Sequence, residues 1–239
     1  MTILLLAALI PPLFLMFRIY QLDKIEREPP RLVLRVFLAG ALSVVPAIIL
    51  EALGGQALAS LVPSGTVLFN LLQYFIVVAW VEEGVKHFAL KHTTWKNPEF
   101  NYFFDAIVYS AAAALGFAAA ENIEYVFAFG LQVAGVRAIT AIPGHCIFGI
   151  FMGYYYGMAK YCQLRGDQSR SRAYQILSIL MPVLMHGFYD YCATSESDVL
   201  TIVFLVYIVL LDIIAIRQIR KFSRDDEALN EYDMNQLYR

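Results

Sequence analysis

Phe75-Ile-Val-Val-Ala-Trp80-Val-Glu82-Glu83-Gly-Val-Lys86-His-Phe-Ala-Leu90 decides how this chain is read. The stretch has the apolar run of a membrane-spanning helix, interrupted by two adjacent carboxylates and a lysine. One charged side chain at the centre of a bilayer costs roughly 2.5–3.5 kcal/mol on insertion scales. Two carboxylates cost more unless partners, water or protons relieve them. Lys86 lies four residues after Glu82 and three after Glu83, within reach of both on a helix. Two readings follow: a buried ion pair that fixes how helices pack, or a polar site facing a cavity inside the membrane.

Composition supports a membrane setting. Of 239 residues, 59% are hydrophobic and 16% charged, and the mean hydropathy is +0.59, far too apolar for an ordinary soluble domain. A net charge of −2 gives no reason to expect a nucleic-acid partner. The charges cluster between long apolar runs, as in a polytopic membrane protein surrounded by lipid. The expected fold class is therefore all-α, with about seven transmembrane helices. They lie near Ile3–Tyr20, Leu32–Leu53, Gly65–Leu90, Asp105–Gly130, Val136–Tyr161, Ala173–Cys192 and Val199–Ile219. The first segment has neither a basic flank before it nor a small-residue cleavage site after it, so it is read as a retained span. Cys146, Cys162 and Cys192 have no metal-ligand spacing and are read as small residues of membrane helices.

Lysine and arginine set the expected orientation. Arg18, Lys24, Arg27, Arg31 and Arg35 flank the first loop, and Lys86, Lys91 and Lys96 flank the third. Lys160, Arg165, Arg170 and Arg172 flank the fifth, and Arg217, Arg220, Lys221 and Arg224 follow the last span. The second and sixth loops carry none, and the fourth has only Arg137. This alternation places the N-terminus outside and the C-terminus in the cytoplasm. Residues 1–222 read as one membrane domain and 223–239 as a short polar cytoplasmic tail.

Few polar residues lie within the spans. Besides Glu82, Glu83 and Lys86 there are Glu121 and Asn122 in the fourth span, with Asp105 and Tyr109 at its cytoplasmic start. The fifth has His145, and the sixth has His186 and Asp190, which share a helix face. At about 1.5 Å per residue, Glu121, His145 and His186 fall in the outer half of the membrane, with Glu82 nearer its middle. His145, Gly149, Gly153 and Gly157 recur every four residues, a spacing that lets a neighbouring backbone come close.

A buried glutamate can act as general base on water, and a histidine can share that task or stabilise an oxyanion. No serine or cysteine has a base at an interpretable spacing, so the pattern favours activated water over a covalent intermediate. Two Glu and two His also suit zinc, although the H-E-x-x-H spacing is absent. A transporter or scaffold built on the same polar cluster is the non-enzymatic alternative. The absence of two related halves weighs against it.

Taken together, Glu82-Glu83-x-x-Lys86, Phe104-Asp105 through Tyr109, Gly116-Phe-Ala, Glu121-Asn122-x-x-Tyr125, Pro143-x-His145 and His186-Gly-x-x-Asp190 resemble the PrsW family of intramembrane proteases. That family is related to the CAAX-type membrane endopeptidases. The resemblance covers Val81 to Asp190, nearly half of the chain. It implies a glutamic-type peptide hydrolase of a bacterial cytoplasmic membrane, without a cofactor, that makes the site-1 cut in a single-span substrate such as an anti-sigma factor. In this reading Glu82 or Glu83 is the base, with His145 beside it, and His186 binds the water or the oxyanion. Lys86, Asp105, Glu121, Asn122 and Asp190 support them. The last element ends in Asn in the CAAX enzymes. Here it is Asp190, which cannot donate unless protonated and is expected to orient His186.

Overall fold

The computed structural model describes residues 1–229, and the residues beyond, within the expected tail, lie outside that description. Among the described residues the regular secondary structure is helical, apart from one isolated bridge between Tyr102 and Ala228. In chain order the elements are α1 (Thr2–Leu22), α2 (Pro30–Leu42), α3 (Val44–Leu61), α4 (Val67–Leu72), a π-helical segment (Gln73–Ala79), α5 (Trp80–Thr94), α6 (Phe103–Phe129), α7 (Leu131–Ile139), α8 (Ala141–Leu164), α9 (Gln168–Ala193) and α10 (Asp198–Arg224).

Seven continuous stretches are long and apolar enough to cross a membrane. Four are single helices. The second joins α2 to α3 at Ser43, the third runs α4–π–α5, and the fifth joins α7 to α8 at Thr140. The fifth therefore begins at Leu131, a few residues before the expected Val136, because α7 continues toward α6.

Helix α6 is the axis of the bundle. Eighteen of its residues, Phe104 to Ala119 together with Asn122 and Val126, are buried. Its Ala111–Ala114 run and Gly116 carry almost no side-chain bulk, so backbones come close on two sides. On one side a Cβ at Gly40 of α2 would land on the Ala113 carbonyl, and one at Gly116 would land on the Phe37 carbonyl. On the other side a Cβ at Gly153 would lie 2.7 Å from the Ile107 Cα, and one at Gly149 2.8 Å from the Ala114 Cβ. The four-residue glycine repeat of α8 is thus the seam against α6, as its spacing predicts. Helix α10 is the opposite case. Leu205, Val206, Val209 and Leu210 are exposed on it, in keeping with a helix that faces lipid.

The start of the expected tail is docked. The Phe103 amide donates to the Glu227 carbonyl at 3.0 Å, the Phe104 amide donates to Asp226 at 2.8 Å, and the Leu229 amide donates to the Asn101 carbonyl at 2.6 Å. Leu229 is buried in the main core.

Candidate active site

Helix α5 carries Glu82, Glu83 and Lys86 into the bundle one turn after the π-helical segment. A π turn widens the helix and is often found beside functional sites. Here Phe75 of that segment lies directly over Gly187 of α9, where a Cβ would meet its ring at 2.5–3.0 Å. The missing side chain at Gly187 thus lets the third span approach α9, and His186 is the next residue.

Lys86 lies at the centre of the polar cluster and is fully buried. Its Nζ is 3.0 Å from Glu82 Oε2, 2.8 Å from Glu83 Oε1 and 3.1 Å from His145 Nδ1. A buried ammonium among carboxylates satisfies its three donors and compensates their charge, the condition under which such a group survives away from water. Its Nζ also lies 4.1 Å from the centroid of the Phe117 ring.

The two histidines come from α8 and α9. His186 Nδ1 is 2.8 Å from Glu83 Oε1, and its Nε2 is 3.2 Å from Asp190 Oδ2. Each ring nitrogen thus faces a carboxylate oxygen. His145 Nε2 is 2.9 Å from Glu121 Oε2. The two rings stand edge to face with centroids 5.3 Å apart, and Phe148 stacks on His186. His145 is in the second turn of α8, whose first turn tolerates Pro143 because its amide has no intrahelical partner there.

A further layer orients these groups. Arg137 of α7 donates to Glu121 Oε2 at 2.7 Å and to Asn122 Oδ1 at 3.0 Å. Asn122 Nδ2 donates to the Ala8 carbonyl of α1 at 2.9 Å. The cluster therefore lies at the end of the bundle where the chain begins.

These groups border a cavity of about 720 Å³, lined by Glu82, Glu121, Arg137, His145, His186 and Asp190 among others. Glu82 faces it. Glu83 does not, and lies behind with its Oε2 buried and unpartnered.

The structure thus brings together Glu82, Glu83, Lys86, Glu121, Asn122, His145, His186 and Asp190. The glutamate pair reaches the histidines despite its expected offset in depth, with Glu83 Oε1 2.8 Å from His186 Nδ1. Asp105 is not in this group. It caps the far end of α6, accepting from the Tyr102 amide at 2.6 Å and the Asn101 amide at 3.0 Å. Sixteen residues separate it from Glu121, about 24 Å along a helix. Among the cavity residues that the sequence reading did not assign to the site are Glu51 of α3 and Arg137. Glu51 carried a usable signal, a lone carboxylate inside an apolar span. Arg137 did not, because it reads as an ordinary loop cation.

Glu82, Glu83, His145 and His186 each offer an atom within 4.8 Å of the others, and their chemical types suit zinc. Lys86, however, occupies the shared position. Glu82 Oε2, Glu83 Oε1 and His145 Nδ1 all face its ammonium, and both nitrogens of His186 face carboxylates. A metal ion does not fit this arrangement unless the lysine leaves.

Comparison with known proteins gives a consistent answer. A family model described as "PrsW family intramembrane metalloprotease" matches residues 28–216. The chain is 36% identical over 236 residues to Protease PrsW of Clostridioides difficile (strain 630), covering 94% of this chain and 93% of that one. It is 33% identical over 219 residues to Protease PrsW of Oceanobacillus iheyensis, covering 92% and 95%. With Protease PrsW of Bacillus subtilis (strain 168) it shares 31% identity over 199 residues, covering 80% and 83%. No solved structure matches it. A seven-span bundle and relatives matched over most of their length lead to one conclusion: the chain belongs to the PrsW family of intramembrane proteases and is a peptide hydrolase.

Proposed function

We propose that this protease cuts its substrate with water activated by Glu82, without a metal ion, at the outer side of a bacterial cytoplasmic membrane. The observation that carries this reading is the asymmetry of the glutamate pair. Glu82 borders the cavity, whereas Glu83 is enclosed behind it between Lys86 and His186. Glu82 is then the group that reaches a water molecule, and Glu83 holds the lysine and histidine in place.

In the forward step Glu82 takes a proton from water as the oxygen attacks the scissile carbonyl carbon. The carbonyl π pair moves onto oxygen and gives a tetrahedral oxyanion. In this reading His186 is protonated and supplies positive charge beside it, and Asp190 holds that ring. Collapse re-forms the carbonyl and breaks the C–N bond, and Glu82 returns its proton to the leaving amine. Lys86 stays paired with Glu83. His145, fixed between Lys86 and Glu121, forms the other wall.

The substrate in this reading is a single-span membrane protein, such as an anti-sigma factor, entering from the lipid. A cavity at the N-terminal end of the bundle suits a first cut near the outer membrane surface, given the expected orientation. The test is co-expression with tagged single-span candidates, scored at matched enzyme levels. Glu82→Gln is expected to lower cleavage by about 10²–10⁴-fold, the usual range for losing a general base. Glu82→Gln cutting as fast as wild type would sink the assignment. The metal question is settled on the same preparation. Stoichiometric bound zinc, with activity lost to chelator and restored by zinc, would replace this mechanism with the metal-dependent one that the family description names.

A further inference from the structure

The bundle holds a second buried polar cluster, at the opposite end of α6. Asp23 and Glu28, from the loop between α1 and α2, meet Asp105 at the first turn of α6. All three are buried, and each offers an oxygen within 4.8 Å of the others. No ion pair with a lysine or arginine is formed by any of them among the described residues.

Each carboxylate is held by a donor on one oxygen. Asp105 Oδ2 accepts from the Asn101 and Tyr102 amides, Asp23 Oδ2 accepts from the Glu28 amide at 3.2 Å, and Glu28 Oε2 accepts from the Tyr109 hydroxyl. The other oxygens of Asp23 and Asp105 are fully buried and have no partner. Glu28 and Asp105 also lie close enough to share a proton. Buried, aligned, unpaired carboxylate oxygens are costly unless a cation or protons compensate them. The outer hydrogen bonds resemble the supports that orient metal ligands.

We propose that Asp23, Glu28 and Asp105 form a site for a hard, calcium-sized divalent cation that ties the α1–α2 loop to the start of α6. The donor set is all oxygen, which suits Ca²⁺ or Mg²⁺ and not zinc. A set of three carboxylates suits the larger, flexible coordination sphere of Ca²⁺ better than Mg²⁺, which keeps several waters and takes one or two carboxylates. Three carboxylates leave coordination positions for water. The site is independent of the proteolytic cavity and of how its chemistry is assigned.

The test uses the purified full chain in detergent micelles, freed of metal by chelator and studied at about pH 8. Terbium(III), a luminescent ion of calcium size, is titrated in with excitation of the tyrosines; Tyr109 bonds directly to Glu28. The expected result is one saturable site per chain, displaced by Ca²⁺ at lower concentration than by Mg²⁺. Asp23→Asn and Glu28→Gln should weaken it by about 10-fold or more, and Tyr109→Phe by about 10-fold, as for loss of a supporting hydrogen bond. Glu82→Gln should leave it unchanged. Asp23→Asn removes the charge but keeps an oxygen that can accept from the Glu28 amide, so it remains interpretable if a variant at Asp105 fails to fold. Emission lost in Glu82→Gln but kept in Asp23→Asn would overturn the proposal, because the ion would then lie in the proteolytic cavity. Absence of a saturable site, with a thermal midpoint indifferent to Ca²⁺, would overturn it in favour of protons. Displacement by Mg²⁺ before Ca²⁺ would overturn the calcium-size assignment.

Discussion

Lys86 decides what the glutamate pair can be. A lone pair of adjacent carboxylates inside a membrane would be read as metal ligands or as proton carriers. The ammonium among them supplies the positive charge from the chain itself. The sequence pattern already suggested this contact, because i+3 and i+4 neighbours on a helix must meet. The next ring of partners was less legible. That Asp190 serves His186 follows from their four-residue spacing, but that Glu121 serves His145 depends on how α6 and α8 cross, which no local spacing encodes. Lys86→Met is expected to destabilise the folded protein by about 3–5 kcal/mol, because it leaves buried carboxylates without their cation. Adding Glu83→Gln should recover part of that loss, since one uncompensated charge is removed. Denaturation in mild detergent checks both variants. A Lys86→Met protein as stable as wild type would mean that another cation takes the place of the lysine.

At the scale of elements, glycine and alanine placement accounts for most of the architecture. The α8 repeat of Gly149, Gly153 and Gly157 lies against Ala106–Ala114 of α6, and this seam carries His145 to Glu121. The pattern was readable because small residues at four-residue spacing have one obvious use in lipid. The π-helical segment was not readable. Gln73–Ala79 is an apolar, partly β-branched run that looks like any buried helix. What accompanies the wider turn is the contact of Phe75 with Gly187, more than 100 residues away in sequence. Gly153→Val tests the seam. Its Cβ would fall 2.7 Å from both the Ala106 carbonyl oxygen and the Ile107 Cα, backbone atoms that cannot turn aside. The expected cost is about 1–3 kcal/mol or more, as for other overpacked interiors. Cleavage should fall with it, because His145 and Glu121 are moved apart. Thermal melting of the purified variant, with activity measured on the fraction still folded, separates the two effects. Unchanged melting would show that α6 and α8 are not held as described.

At the scale of the whole molecule, the proposal for the side of the membrane on which the site opens rests on two independent observations. One is structural: Asn122 reaches the Ala8 carbonyl near the start of α1, so the proteolytic cavity and the N-terminus share an end of the bundle. The acidic cluster and the docked segment Asp226–Leu229 share the other end, next to the first turn of α6. The second is the distribution of Lys and Arg, from which that other end is expected in the cytoplasm. The number of spans was legible from hydropathy because each span needs about 20 apolar residues. Which polar groups lay at which depth was not, because three of the spans are broken helices. On this basis we propose that Glu82 faces the outer side, where a substrate would be cut near its external juncture with the membrane. Reporter fusions at the C-terminus test this directly. A fluorescent protein that matures only in the cytoplasm should be bright, and alkaline phosphatase, which needs the periplasm or exterior, should be inactive. An added N-terminal cysteine should react with a thiol reagent that cannot cross membranes. The opposite labelling would turn the cavity toward the cytoplasm. The family and its peptide-hydrolase activity would stand, but an outer first cut would become geometrically impossible, and the anti-sigma-factor reading would fall with it.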